Sequence, residues 1–159
     1  MKILVSIVLL SLMHLAVATT QTDAPDREQL KAEVYQMLQS GMGLFENRDF
    51  DGLARRFTPD GSLKMPGAPM ISGHDALNSH YARSVEQFSG LDFDFAARSL
   101  DLSEAGDVAV LIMEFRTRSS NPEDASESSG VILMVLKRVN EEWKIFAESV
   151  SAGPVTSFD

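Results

Sequence analysis

Cysteine is absent from all 159 residues. Disulfides, cysteine nucleophiles, thiolate metal sites and a lipid-modified N-terminal cysteine are excluded with it, so the core must hold by packing alone. Basic residues are scarce too: 14 Lys and Arg stand against 23 Asp and Glu, a net charge of −9. A surface of that sign repels phosphate backbones and anionic lipid, which argues against nucleic acid or a membrane face as partner. No Gly-rich phosphate loop and no serine-elbow motif occurs. His74 and His80 are separated by about 600° of helical rotation and face different directions, so no metal site is expected, and no cofactor.

Long apolar runs are missing as well, except at the start. Lys2 precedes Ile3 to Met13, an aliphatic stretch interrupted only by Ser6 and Ser11. It is too short to span a bilayer but suits the core of a signal peptide. Ala16 and Ala18 then supply small residues at the two positions read by a signal peptidase, which predicts cleavage near Ala18/Thr19 and export to the periplasm or medium. Removal of residues 1–18 leaves 141 residues with 13 positive and 23 negative charges, or −10. That is the size of one domain, with no membrane attachment expected after processing.

Residues 19–25 read as a flexible lead-in. Asp26, with Gln29 three residues on, suits a helix start. Leu30, Val34, Met37, Leu38, Gly41, Leu44 and Phe45 fall on one helical stripe, where Gly41 would let another element approach closely. Leu53 to Phe57 predicts a short second helix ended by Thr58-Pro59-Asp60-Gly61, and Pro66-Gly67 turns a short hairpin. Leu77, Tyr81, Val85 and Phe88 stripe a third helix. From Leu91 the period changes to two, predicting strands at Leu91–Arg98, Val108–Arg118, Gly130–Val139 and Trp143–Val150. Ser119–Ser129 is a polar loop and Asn140–Glu142 a tight turn. Val131 to Leu136 is apolar at six successive positions, so both faces of its strand must be covered.

This order resembles the nuclear transport factor 2-like superfamily, in its SnoaL-like and ketosteroid-isomerase-like branch of small bacterial domains. The residues that carry the likeness are Asn47-Arg48-Asp49-Phe50-Asp51-Gly52-Leu53, Phe57-Thr58-Pro59-Asp60-Gly61, Pro66-Gly67-Ala68-Pro69, Gly73-His74-Asp75-Ala76-Leu77 and Glu142-Trp143-Lys144-Ile145. The resemblance implies an α+β domain over residues 26–151, followed by a C-terminal tail (152–159). Its cone-shaped, curved antiparallel sheet would wrap three N-terminal helices, and pairing through the outer sheet face would give a homodimer.

The resemblance also implies a carboxylate base just before the hairpin proline, where this chain has Met65. The two proton donors of such isomerases fall near Gly41 and Val135, neither of which donates from its side chain, so that chemistry is not expected. The same registers point Phe45, Phe57, Met65, His80, Val110, Ile112, Glu114, Arg116, Leu133, Val135, Phe146 and Glu148 into the cone. Glu148, on an otherwise apolar strand, would have its pKa raised by desolvation or be held ionised by Arg116 or His80. With His80 or Glu114 it would do acid/base work; the plainer reading makes Glu114 and Glu148 partners in structural ion pairs.

Three functions follow. The first is an exported domain binding a small apolar or amphipathic molecule in a mostly apolar pocket. The second is a SnoaL-like isomerase, cyclase or hydrolase using Glu148 with His80 or Glu114. The third is a dimeric scaffold whose cone is closed by its own side chains.

Overall fold

The computed structural model describes residues 26–88, 90–121, 123 and 126–155. The expected signal peptide, the lead-in at 19–25 and residues 156–159 of the tail lie outside the described residues.

Helix α1 (Arg27–Glu46) begins at Asp26, whose carboxylate accepts from the backbone N–H groups of Glu28 and Gln29. The Gln29 side chain donates forward to Glu33 instead of closing a capping box. A short α2 (Phe50–Arg55) is capped by Asp49. Then come β1 (Phe57–Lys64), β2 (Ile71–Ser72), α3 (His74–Phe88) and the long strands β3 (Leu91–Leu102), β4 (Val108–Ser119), β5 (Glu127–Val139) and β6 (Glu142–Ala152). Phe57 to Gly61, expected to end a helix, is strand. The Ile145 N–H donates to the Arg56 carbonyl, and Phe57 pairs with Ile145. The register then shifts before Ser62, a bulge that accommodates Pro59, which has no N–H for the ladder.

The six strands lie in the order β2-β1-β6-β5-β4-β3. The four long strands are antiparallel, as expected, and β1 joins parallel to β6. Asn140 and Glu141 both have positive φ, 50° and 66°, which is the geometry of a two-residue hairpin turn matched to strand twist. Bulges in β3, between Ala97 and Ser99, and in β6, between Ile145 and Ala147, bend the sheet into an open, cone-like wrap around the helices.

Burial identifies the inner face. Ala109, Leu111 and Met113 of β4, Ile132, Met134 and Leu136 of β5, and Trp143 and Ile145 of β6 are all buried. They pack on Leu30 and Val34 of α1, Ala54 of α2 and Leu77 of α3. The opposite face is apolar too, with Val110, Ile112 and Leu133 each at least 36% exposed.

This overturns the expected orientation of several residues. Val110, Ile112, Glu114 and Arg116 share one face of β4, as their alternation requires, but it is the outer face. Leu133 and Val135, paired with Ile112 and Val110, are outer as well. Phe146 sits at the β6 bulge and packs outward, its ring beneath the Lys137 ammonium at 3.3 Å. The cause is that β4 and β5 are apolar on both faces, so alternation fixes which residues share a side without saying which side is inside.

Candidate functional site

The β6 bulge decides the site. Without it, Glu148 would share parity with Phe146 and both would face one way. With it, Leu136 pairs with Ile145 but Met134 with Glu148, so Glu148 joins the buried inner residues while Phe146 is left outside. On its other side Glu148 pairs with Leu63 of β1. Apolar strand neighbours therefore flank the carboxyl on both sides.

Two further polar groups reach it. Arg56 follows α2 and projects across α1: its Nη2 donates to the Met37 carbonyl at 2.9 Å and contacts the Met37 Sδ at 3.0 Å. Its guanidinium occupies the space left by Gly41, where an added Cβ would lie 2.0 Å from Nη1 and 2.3 Å from Cζ. The opening expected at Gly41 is filled by this cation. Tyr81 comes from the inward stripe of α3.

The three groups act on one another electrically. Burial pushes the Glu148 carboxyl up to about 7, and the positive charge of Arg56 only partly offsets that. Burial lowers the Arg56 pKa, against the opposing pull of Glu148 and Tyr81. Burial, reinforced by Glu148 and opposed by Arg56, lifts the Tyr81 hydroxyl far above its ordinary value, so it stays a proton donor. Yet among the described residues no ion pair within 4.0 Å joins Arg56 to Glu148, and neither the Glu148 carboxyl nor the Tyr81 hydroxyl has a hydrogen-bond partner. Their oxygens are also not among the sealed polar atoms that lack a partner, unlike the Nε of Arg56. Glu148 itself is only partly buried. The carboxyl and hydroxyl oxygens therefore keep some contact with solvent, with donor and acceptor capacity unspent.

A separate apolar cavity lies farther along the helices, and none of Arg56, Tyr81 and Glu148 lines it. Its volume is about 340 Å³, and it opens between the C-terminal ends of α1 and α3 and the start of β3, lined by Phe45, Val85, Phe88 and Phe93, with Arg48 and Asp92. The Phe45 and Phe88 rings are 5.9 Å apart, and Phe88 and Phe93 meet edge to face at 5.7 Å. Phe45 is four residues beyond Gly41 and Val85 four beyond Tyr81, about 6 Å of helix rise in each case. Phe45 and Val85 thus stand about one helical turn beyond Gly41 and Tyr81.

The remaining expected residues divide clearly. Phe57 is 2% exposed and belongs to the core, with Met65 packed partly buried against it. His80 is not brought to Glu148. Its ring lies beside Ser84 Oγ, at 3.5 Å, and the Tyr81 ring, and burial, then Arg83, lower its pKa. Glu114 pairs with Arg98 at 3.4 Å and Arg116 with Glu127 at 3.2 Å on the outer face, so neither meets Glu148. Sequence reasoning missed Arg56. The available clues were Gly41 in the α1 stripe and the Arg55-Arg56 pair: Arg55 is used by Asp51 one turn back, leaving its neighbour turned about 100° away. Among the described residues no group of three or more His, Asp or Glu side chains is placed to hold a metal.

Residues 34–155 match the SnoaL-like domain family. None of the curated proteins matches the sequence. Among solved structures the fold is similar to Aln2 from a Streptomyces species, with 16% identity, a TM-score of 0.67 and coverage of 78% of this chain and 91% of that one. A ketosteroid isomerase-like protein from Erwinia carotovora atroseptica is 18% identical, with a TM-score of 0.62 and coverage of 77% and 96%. A protein from Catenulispora acidiphila in complex with S-DNPA is 20% identical, with a TM-score of 0.65 and coverage of 79% and 94%. At these identities the likeness concerns the fold. By the extent of the family match and the order of its elements, this chain belongs to the SnoaL-like domain family of the nuclear transport factor 2-like superfamily.

Proposed function

We propose that the chain is an exported domain that binds a small amphipathic molecule in its cone. The apolar part of the ligand lies against Phe45, Val85 and Phe88, and its polar end meets Glu148, Tyr81 and Arg56. One observation carries this reading: a carboxyl and a hydroxyl, each without a partner among the described residues, keep some contact with solvent beside a buried cation. Polar groups so placed orient a ligand, and the apolar cavity supplies the affinity. The S-DNPA complex of a similar fold lends this support. Export rests on the N-terminal pattern of Lys2, the apolar stretch and Ala16-Val17-Ala18. Pairing of two copies through the outer sheet face fits the exposed Val110, Ile112 and Leu133.

Native mass spectrometry of protein purified from its own cell envelope tests ligand, export and pairing together. The expected spectrum shows a dimer of chains beginning at Thr19, each with a small retained molecule. An intact N-terminus contradicts export, and a bare monomer that takes up no amphipathic probe contradicts binding and pairing.

A second reading is favoured by the Glu148 carboxyl near 7, a value suited to proton transfer at neutral pH. In an isomerase or cyclase Glu148 would take the proton and Tyr81 would donate to the developing oxyanion. Deuterium incorporation from D2O into an enolisable cyclic ketone, abolished by Glu148→Gln, is the expected signature. No exchange above the buffer rate leaves a binding protein only.

A further inference from the structure

Arg56 is an unusual cation. It is largely withdrawn from water, its Nε–H is sealed without a partner, and its only described side-chain hydrogen bonds run from Nη2 to Met37. Among the described residues Nη1 makes no hydrogen bond, and it is not one of the sealed atoms without a partner, so it too keeps some contact with solvent. A buried guanidinium normally has its charge met by a carboxylate at contact distance. Here the nearest acid, Glu148, stays beyond 4.0 Å. The strand neighbours of Glu148 on β1 and β5 are Leu63 and Met134, which carry no charge. Arg56, at the end of α2, and Tyr81, on α3, are the charged or titratable groups acting on it, and α1 offers the Met37 carbonyl, already engaged.

Building on the binding reading above, we infer that the floor of the cone is an anion-recognition site. Arg56 receives the carboxylate, phenolate or enolate oxygen of an otherwise apolar ligand, Tyr81 donates a second hydrogen bond, and Glu148 must carry a proton while the anion is bound. With Glu148 ionised the floor is neutral overall and presents a like charge to the ligand. With Glu148 protonated it carries one positive charge and a third donor group, the carboxyl O–H. Anion binding is therefore coupled to uptake of one proton. Gly41 is the positioning residue, because any side chain there displaces the guanidinium.

The test compares naphthalene-2-carboxylate with naphthalene-2-carboxamide, two probes of one shape, by titration calorimetry on the full mature chain. The carboxylate ionises at about pH 4, so its own charge is constant from about pH 6 to 8. Wild type is expected to prefer the carboxylate at pH 6. With Glu148 near 7, affinity should fall about tenfold by pH 8, and buffers of different ionisation enthalpy should report about one proton taken up at the higher pH. Glu148→Gln should flatten the pH dependence. Arg56→Gln should lose the preference for the anion while keeping the amide, and Arg56→Lys should restore part of it. Gly41→Ala, which leaves the charge but moves it, should also lose the preference.

Equal binding of both probes by wild type overturns the anion site and leaves the binding reading standing. Preference for the carboxylate with no pH dependence overturns the role of Glu148. Failure of both probes to bind folded wild-type protein overturns both readings. The wild-type comparison stands even where an Arg56 variant does not fold.

Discussion

Glu148 is one carboxyl in a chain rich in them, and its chemistry comes from its surroundings. In the unfolded chain it titrates at an ordinary 4.5 and in the folded chain near 7. Between those values the native state holds a proton that the unfolded state does not, so stability falls as pH rises through the window and is lowest above 7. Glu148→Gln removes the penalty. The variant is expected to be about 3 kcal/mol more stable than wild type at pH 8 but only about 1 kcal/mol more stable at pH 5, from the size of the shift. Urea denaturation at the two pH values checks this, and a variant less stable at pH 8 contradicts it. Gly41→Ala tests the neighbouring contact. The helix gains about 1 kcal/mol of propensity, while the displaced Arg56 loses its charged hydrogen bond to Met37, worth about 1.5 to 3 kcal/mol. A small net destabilisation is expected in thermal unfolding.

At the scale of elements, the fold depends on where strands depart from regularity. Gly130 of β5, in regular register with Phe115 and Ala152, marks a place of close approach instead: a Cβ there would lie 2.0 Å from the Ser151 carbonyl oxygen and 2.7 Å from the Phe115 ring. Backbone cannot swing aside as a guanidinium can, so Gly130→Ala should force β5 and β6 apart and cost about 2 to 3 kcal/mol, measured by denaturant unfolding. A neutral result contradicts that packing. The bulges in β3 and β6 bear on what was legible in the sequence. The helical stripe of α1, the change of period at Leu91 and the Asn140–Glu141 turn announced the order of elements, because each is a local pattern. The inner face was not legible from alternation: Val110 and Ile112 are as apolar as Leu111 and Met113. Period two points Glu148 and Phe146 to one side together, and only the bulge between Ile145 and Ala147 separates them. Arg56 escaped notice because its role is set by Gly41, fifteen positions earlier, and by a strand that arrives ninety positions later. Contacts between distant segments leave no periodic trace.

The whole molecule presents two apolar surfaces with different fates, a cone interior closed by helices and an outer sheet face left open. Arg98–Glu114 and Arg116–Glu127 flank the open face and keep its charged residues paired, so its centre is apolar without being unsatisfied at the edges. If two copies cover it, Leu133→Asp should halve the mass seen by light scattering while leaving the circular dichroism unchanged; an unaltered dimer, or a wild-type monomer, contradicts the proposed pairing. Inside the cone, the proposed site depends on a carboxyl held between a buried cation and an apolar wall. The direct measurement is a carboxyl-carbon NMR titration of selectively labelled glutamate in the intact protein, assigned by Glu148→Gln. A Glu148 resonance that moves with a midpoint near 7 is the expected result. A midpoint below about 5 contradicts the account, because a solvated or fully ion-paired carboxylate would leave the cone without its site.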